Sequence, residues 1–149
     1  MISSLENMVK VEGNNNVESI EISLPSKPEY VSIARLSTSI IANKIGFNIE
    51  DIEDMKIAVG EACNNAVTHG KNDSNKFNLL FRVYKEKLEI SIIDQGKGFH
   101  VEKCPNPDPC KPKEGGLGIF IIRSLMDDVE VKSSPGKGTE IKMIKYLKK

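Results

Sequence analysis

The segment from residue 48 to residue 70, NIEDIEDMKIAVGEACNNAVTHG, constrains the fold more than any other part of this chain. Its apolar residues recur at helical spacing and Gly70 supplies a stop signal, so the segment predicts one long helix. Apolar character extends around much of the remaining surface, so we expect this helix to be mostly buried. The apolar stripe consists of Ile52, Met55, Val59, Ala62, Cys63 and Ala66.

A buried helix needs other elements around it, and the rest of the chain supplies them. Residues 17–25 alternate apolar and polar side chains, which indicates a strand, and residues 28–45 repeat apolar residues at helical spacing. Residues 76–94 predict two strands, residues 115–128 predict an apolar helix that opens with glycines, and residues 129–147 predict a final hairpin.

This order of elements predicts an α+β fold with two layers. Consecutive hairpins favour a mixed but mostly antiparallel sheet, and the three helices are expected to cover one of its faces. Residues 1–16 are predicted to be a flexible leader and residues 17–149 a single domain. Residues 97–114 contain four prolines and no regular period, which is typical of a functional lid.

Composition excludes several classes of protein. Lys plus Arg and Asp plus Glu are both 21, and this balance argues against a general binder of nucleic acid or of an acidic membrane. No apolar run approaches the ~20 residues of a membrane span, and the first residues do not resemble a secretion signal. Three cysteines without metal-binding spacing predict a reducing, cytosolic setting. A metal site at His100, Cys104 and Cys110 is a weaker alternative, because prolines surround them and no fourth ligand is clear.

Four short features remain to be explained. Glu61 and Asn65 lie four residues apart on the long helix, Asp94 precedes glycines at positions 96 and 98, and the segments GGLG (115–118) and GKGT (136–139) follow. Each feature alone has an ordinary structural explanation, as a solvated helix edge, a turn, a flexible helix entry or a hairpin turn.

Together, in this order, the four features resemble the N box and glycine boxes of the GHKL ATPase superfamily, also called the Bergerat fold. The resemblance extends from residue 17 to the C-terminus. Three segments are similar to one branch, the bacterial anti-sigma factors of the sigma-B and sigma-F regulator type, which are also serine-protein kinases. These segments are KPEYVSIARLSTSIIANKIGF, DIEDMKIAVGEACNNAVTHG and EGGLGIFIIRSLMDDVEV.

The resemblance implies a site for ATP. Asp94 would accept a hydrogen bond from the adenine amine, Thr139 would make a second adenine-side contact, and Asn65 would offer an oxygen to Mg²⁺ on the phosphates. Glycines before a helix would present backbone N–H groups to those phosphates. The implied nucleotide-binding residues are Asn65, Asp94, Gly96, Gly98, Gly115, Gly116, Leu117, Gly118 and Thr139.

The resemblance also implies an activity and partners. Glu61 would act as the catalytic base for a serine hydroxyl on an anti-anti-sigma protein, and the chain would sequester a sigma factor. A homodimer is implied as well, with the strand at 17–25 at a sheet edge. Two alternatives stay open: a nucleotide-dependent binding module that no longer transfers phosphate, and a switch kinase without a sigma target.

Overall fold

The structure is a computed structural model that describes residues 9–14, 17–69, 75–96 and 116–148. Within this part of the chain there is no helix long and apolar enough to cross a membrane. The helices and strands are β1 (Val9–Asn14), β2 (Val17–Pro25), α1 (Val31–Ile45), α2 (Ile49–His69), β3 (Lys76–Val83), β4 (Lys87–Asp94), α3 (Gly116–Leu125), β5 (Asp128–Ser133) and β6 (Thr139–Tyr146), with a 3₁₀ turn at Pro28–Tyr30.

The six strands form one sheet in the order β1-β2-β3-β4-β6-β5, and each neighbouring pair is antiparallel. The register pairs Leu79 with Ile92 and Phe81 with Ile90, so large apolar side chains of β3 and β4 share one face. The fully buried ones in these two strands are Phe77, Leu79, Phe81, Leu88, Ile90 and Ile92. The predicted α+β fold with two layers is confirmed.

Residues 9–14 form strand β1, although their sequence predicted part of a flexible leader. Val9 pairs with Ile22 and Val11 pairs with Ile20, so β1 takes up the outer backbone hydrogen-bonding groups of β2. The prediction that β2 is an edge strand was wrong, because β1 covers it. The edges of the described sheet are β1 and β5.

Helix α2 lies at the centre of the helical layer, where it packs against both α1 and α3 and against β4. The six residues of its predicted apolar stripe are all buried. The prediction of a mostly buried helix is therefore confirmed, although Ile57 is exposed.

Helices α2 and α3 run antiparallel, and the side chain of Lys145 contacts the end of α3 and the start of α2. Its Nζ atom donates a hydrogen bond to the carbonyl oxygen of Leu125, at the end of α3, over 2.6 Å. The same atom lies 3.9 Å from Asp51 Oδ1, in the first turn of α2. Because the end of α3 lies beside the start of α2, the start of α3 lies beside the second half of α2.

Of the large apolar residues that indicated helix α1, only Ile41 and Ile45 pack against the core, and both are partly buried. Ile33, Leu36 and Ile40 are exposed. A close approach to the neighbouring elements explains the difference, because small side chains allow it and isoleucine does not. The buried residues of α1 are Val31, Ala34, Thr38 and Ala42.

Candidate nucleotide site

Asp94 is the last residue of β4, and it lies where the central strands end. It pairs with Phe77 of β3 and with Thr139 of β6, and it is buried. Its Oδ1 atom accepts a hydrogen bond of 2.9 Å from the backbone N–H of Gly96. The backbone of the glycine that follows the strand therefore lies close to the carboxylate.

Burial raises the pKa of Asp94 above its usual value. The backbone N–H groups of Gly96 and Thr139 oppose this shift, and so does the charge of His69 at the end of α2. A carboxylate that is buried and holds hydrogen-bond donors already is a strong acceptor, because little water competes for it.

Gly138 fixes the hairpin between β5 and β6 against the end of β4. Its φ angle is +77°, and a Cβ atom at this position would collide with the carbonyl oxygen of Asp94. Gly136 also has a positive φ angle, of +81°, but a Cβ atom there would meet open space. The segment GKGT thus does more than turn the chain: Gly138 allows the turn to touch the strand that carries Asp94.

The hydroxyl groups of Thr139 and Ser133 form a hydrogen bond across the same hairpin. The two side-chain oxygens are 2.7 Å apart, and the Ser133 hydroxyl donates to the carbonyl oxygen of Gly138 over 3.1 Å. Because Ser133 uses its only hydrogen in that bond, the Thr139 hydroxyl is the donor to Ser133. Ser133 was not predicted as a site residue, since no sequence pattern distinguishes it from an ordinary strand residue.

Glu61 and Asn65 lie one turn apart on α2, and Glu61 lies beside the first turn of α3. A Cβ atom on Gly118 would lie 3.3 Å from Glu61 Oε2, so the carboxylate is next to the backbone at the start of α3. Asn65 is only 9% exposed, and its Oδ1 atom has no hydrogen-bond partner within the described residues. A buried oxygen acceptor without a donor is uncommon, and such an atom fits a bound cation.

A cleft of about 660 Å³ opens at the end of the sheet next to Asp94. Asp94, Gly138 and Thr139 line it, and Lys132 and Lys137 lie at the same cleft. Its described lining residues include neither member of the pair on α2. The structure therefore gathers the predicted residues into two groups, one at the sheet end and one between α2 and α3.

Some predicted residues lie outside the described part of the chain. These are Gly98, Gly115, the lid at 97–114, and the alternative metal ligands His100, Cys104 and Cys110. Gly116 and Leu117 open α3, and the Leu117 side chain is 57% exposed. Within the described ranges no group of three His, Cys, Asp or Glu residues could hold a metal ion. Burial raises the pKa of Cys63 to about 12, so this cysteine is not a reactive thiolate at neutral pH.

The chain matches the family of the histidine kinase-like ATPase domain over residues 24–145, and it therefore belongs to that family. Its sheet and its three helices agree with that class.

Proteins named serine-protein kinase RsbW are among its relatives. The one from Oceanobacillus iheyensis is 43% identical over 143 residues, which are 89% of this chain and 89% of the relative. The one from Bacillus subtilis is 40% identical over 143 residues, with 89% of this chain and 88% of the relative covered. The resemblance to the GHKL kinase branch and the predicted enzyme class, a protein serine kinase, are confirmed.

The fold is also similar to that of solved structures. A structure of the RsbU and RsbW domains of a Mycobacterium tuberculosis protein superimposes with a TM-score of 0.66 at 19% identity, covering 87% of this chain and 32% of that one. The histidine kinase domain of a blue-light activated kinase from Erythrobacter litoralis gives a TM-score of 0.53 at 21% identity, covering 83% and 62%. At these identities the likeness concerns the fold.

Proposed function

We propose that this chain is an anti-sigma factor that works in the cytosol, binds ATP with Mg²⁺, sequesters a sigma factor and phosphorylates an anti-anti-sigma protein on serine. The observation that carries the proposal is the buried Oδ1 atom of Asn65, which has no hydrogen-bond partner among the described residues and lies one helical turn from Glu61. The names of the curated relatives support the choice of partners.

The adenine end of the nucleotide would lie at the end of the sheet. Asp94 offers a carboxylate that would accept a hydrogen bond from the exocyclic amine, and Thr139 offers a hydroxyl oxygen that can accept a second one. Gly96 leaves space for close approach because it carries no side chain.

The phosphate end would lie at the start of α3. Gly116, Leu117 and Gly118 form its first turn, where backbone N–H groups lack partners within the helix. The Asn65 oxygen suits a hard cation, and Mg²⁺ bound there would neutralise charge on the phosphates during transfer. A phosphate site made from a helix N-terminus and a bound Mg²⁺ does not require the phosphate-binding lysine that P-loop ATPases use.

Glu61 would accept the proton of the serine hydroxyl. The serine oxygen forms a bond to the γ-phosphorus as the bond between that phosphorus and the β,γ-bridging oxygen breaks, which leaves ADP and phosphoserine. In such a reaction positioning and charge neutralisation contribute more than proton removal. A Cβ atom on Gly118 would lie 3.3 Å from Glu61 Oε2, and this closeness of the carboxylate to the start of α3 supports the role of Glu61 as the base.

Partner switching follows from this chemistry. The unphosphorylated anti-anti-sigma protein would displace the sigma factor, and its phosphorylation would release the chain to bind sigma again. The alternatives are a nucleotide-dependent binding module without transfer and a switch kinase with no sigma target. We further propose a homodimer, as the resemblance implies.

The test is a pull-down with the full chain in ATP and in ADP, followed by incubation of the captured proteins with γ-labelled ATP. The proposal predicts a sigma factor and a second protein among them, with label on serine of the second. Capture of both without label would favour the binding module. Label on a protein with no sigma factor in either nucleotide would favour the switch kinase.

A further inference from the structure

Two hydroxyl groups at the hairpin between β5 and β6 form a chain of hydrogen bonds that ends on a backbone carbonyl. Ser133, the last residue of β5, pairs in register with Thr139, the first residue of β6. The Thr139 hydroxyl donates to Ser133 over 2.7 Å, and the Ser133 hydroxyl donates to the Gly138 carbonyl over 3.1 Å. Because a carbonyl has no hydrogen to give, the direction of both bonds is fixed.

Thr139 is also connected to Asp94, through the backbone. The register pairs the two residues, and the backbone N–H of Thr139 is a donor to the Asp94 carboxylate. Both residues are buried, and together with Ser133 they line the same cleft. A buried hydroxyl has little water to bond to, so its hydrogen stays with Ser133. Toward a molecule in the cleft, Thr139 and the ionised Asp94 therefore both act as acceptors.

Two neighbouring acceptors suit a base that offers hydrogens at this position. The exocyclic amine of adenine offers two. In guanine and hypoxanthine a carbonyl oxygen replaces that amine, and the adjacent ring nitrogen carries a hydrogen. A carboxylate can accept that ring hydrogen, so Asp94 alone does not exclude these bases. A carbonyl oxygen that faces the Thr139 oxygen, however, leaves two buried acceptors without a hydrogen between them, and this weakens binding.

We propose that Ser133 is a positioning residue that makes the site select aminopurines over oxopurines, because it holds the hydrogen of the Thr139 hydroxyl away from the base. This inference rests on the proposed function, since it takes Asp94 and Thr139 as the adenine contacts. Without the Ser133 hydroxyl, the Thr139 hydrogen can turn toward a carbonyl oxygen, and the site then accepts an oxopurine. Ser133 acts through Thr139 and not by its own contact with the base.

A water molecule between Thr139 and the base would transmit the same selectivity. Such a water would donate one hydrogen to the Thr139 oxygen and the other to the ring nitrogen of adenine, which is an acceptor. In an oxopurine that nitrogen carries a hydrogen, so two hydrogens would face each other. The selectivity therefore follows from the direction of the bond between Thr139 and Ser133, whether the contact with the base is direct or through water.

The test is titration calorimetry of the full chain with ATP and with inosine triphosphate, which carries a carbonyl oxygen where ATP carries the exocyclic amine. The parent should bind ATP at least about tenfold more tightly. Ser133→Ala should lower this preference by about fivefold or more, mainly because it binds inosine triphosphate more tightly. Since both nucleotides are titrated into the same preparation, a loss of folded protein affects both alike and leaves the ratio of affinities unchanged.

Three further variants separate the hydroxyl from its surroundings. Ser133→Thr retains a hydroxyl on the same carbon and should keep the preference of the parent. Ser134→Ala removes the hydroxyl of the next residue, outside β5, and should keep it as well. Thr139→Val removes the group through which Ser133 acts, so adding Ser133→Ala to Thr139→Val should change the ratio by less than about twofold.

The possible contrary results are distinct from one another. A Ser133→Ala variant with the preference of the parent would overturn the inference, and so would a Ser133→Thr or Ser134→Ala variant that loses it. An undiminished effect of Ser133→Ala in the Thr139→Val background would overturn the action through Thr139. A parent that binds ATP and inosine triphosphate equally would overturn the selectivity and leave the proposed function standing, whereas a parent that binds neither would overturn both.

Discussion

At the scale of single residues, the proposed site consists of polar groups that are buried or nearly buried. Asp94 is buried with two backbone donors, Thr139 keeps acceptor capacity, and Asn65 has a buried oxygen without a partner in the described residues. The sequence pattern predicted these three positions. It could not predict Ser133, because a serine in a strand has no distinctive spacing and its role depends on the neighbouring strand.

Asp94→Asn should weaken ATP binding. The amide replaces a charged acceptor, and hydrogen bonds to charged groups contribute ~1.5–3 kcal/mol, so the affinity should fall about ten- to a hundredfold. Titration calorimetry of parent and variant measures this difference. Equal affinities would remove Asp94 from the adenine site.

The raised pKa of Asp94 has a consequence for stability. The folded protein holds this proton at a pH where the unfolded chain has already lost it, so stability falls as the pH rises from the usual carboxyl range through the folded pKa. Urea unfolding of the parent and of Asp94→Asn across that range checks the sign. As the pH rises, the free energy of unfolding of the parent should fall relative to that of Asp94→Asn. A difference that stays constant with pH would contradict the raised pKa.

Asn65→Ala should fold at least as stably as the parent, because it removes a buried acceptor that has no partner in the described residues. It should lose Mg²⁺-dependent phosphoryl transfer. Thermal unfolding and transfer at limiting Mg²⁺ measure the two effects. A variant that unfolds much more readily would show that Asn65 serves the core, and a variant with full activity would exclude it from the metal site.

At the scale of elements, the kinds of element were predictable and their packing was less so. Helix α2 was predicted as buried because apolar residues surround it, and it is. The exposed side of α1 could not be deduced, because Leu36 and Ile40 repeat at the spacing of a core-facing stripe although Ala34 and Ala42 make the close contacts. The role of Gly138 was also hidden, since GKGT is a good hairpin turn without any contact to β4.

Gly138→Ala should destabilise the protein more than Gly136→Ala. Both substitutions add a side chain at a positive φ angle, but only the first collides with the backbone of β4. Forced overpacking costs about 1–3 kcal/mol, and this is the expected difference between the two free energies of unfolding. Chemical unfolding of both variants measures it, and equal losses would show that the hairpin moves away at little cost.

At the scale of the whole molecule, one sheet and one helical layer hold the two ends of the proposed site. Helix α2 connects them, because it carries Glu61 and Asn65 and its last residue, His69, acts on Asp94 through its charge. The match to the histidine kinase-like ATPase domain covers residues 24–145 and includes both groups. The expectation that these residues share one site came from the family resemblance, because the spacing of the motifs says nothing about contacts between distant parts of the chain.

The central claim is that Glu61 serves phosphoryl transfer from a site between α2 and α3. The most direct measurement is a single-turnover transfer from γ-labelled ATP to the captured serine-bearing partner, with Glu61→Gln compared with Glu53→Gln, an exposed glutamate on the same helix. Glu61→Gln should bind ATP and the sigma factor as the parent does and transfer phosphate at least ~100-fold more slowly, whereas Glu53→Gln should match the parent. Transfer by Glu61→Gln at the parent's rate would contradict the account.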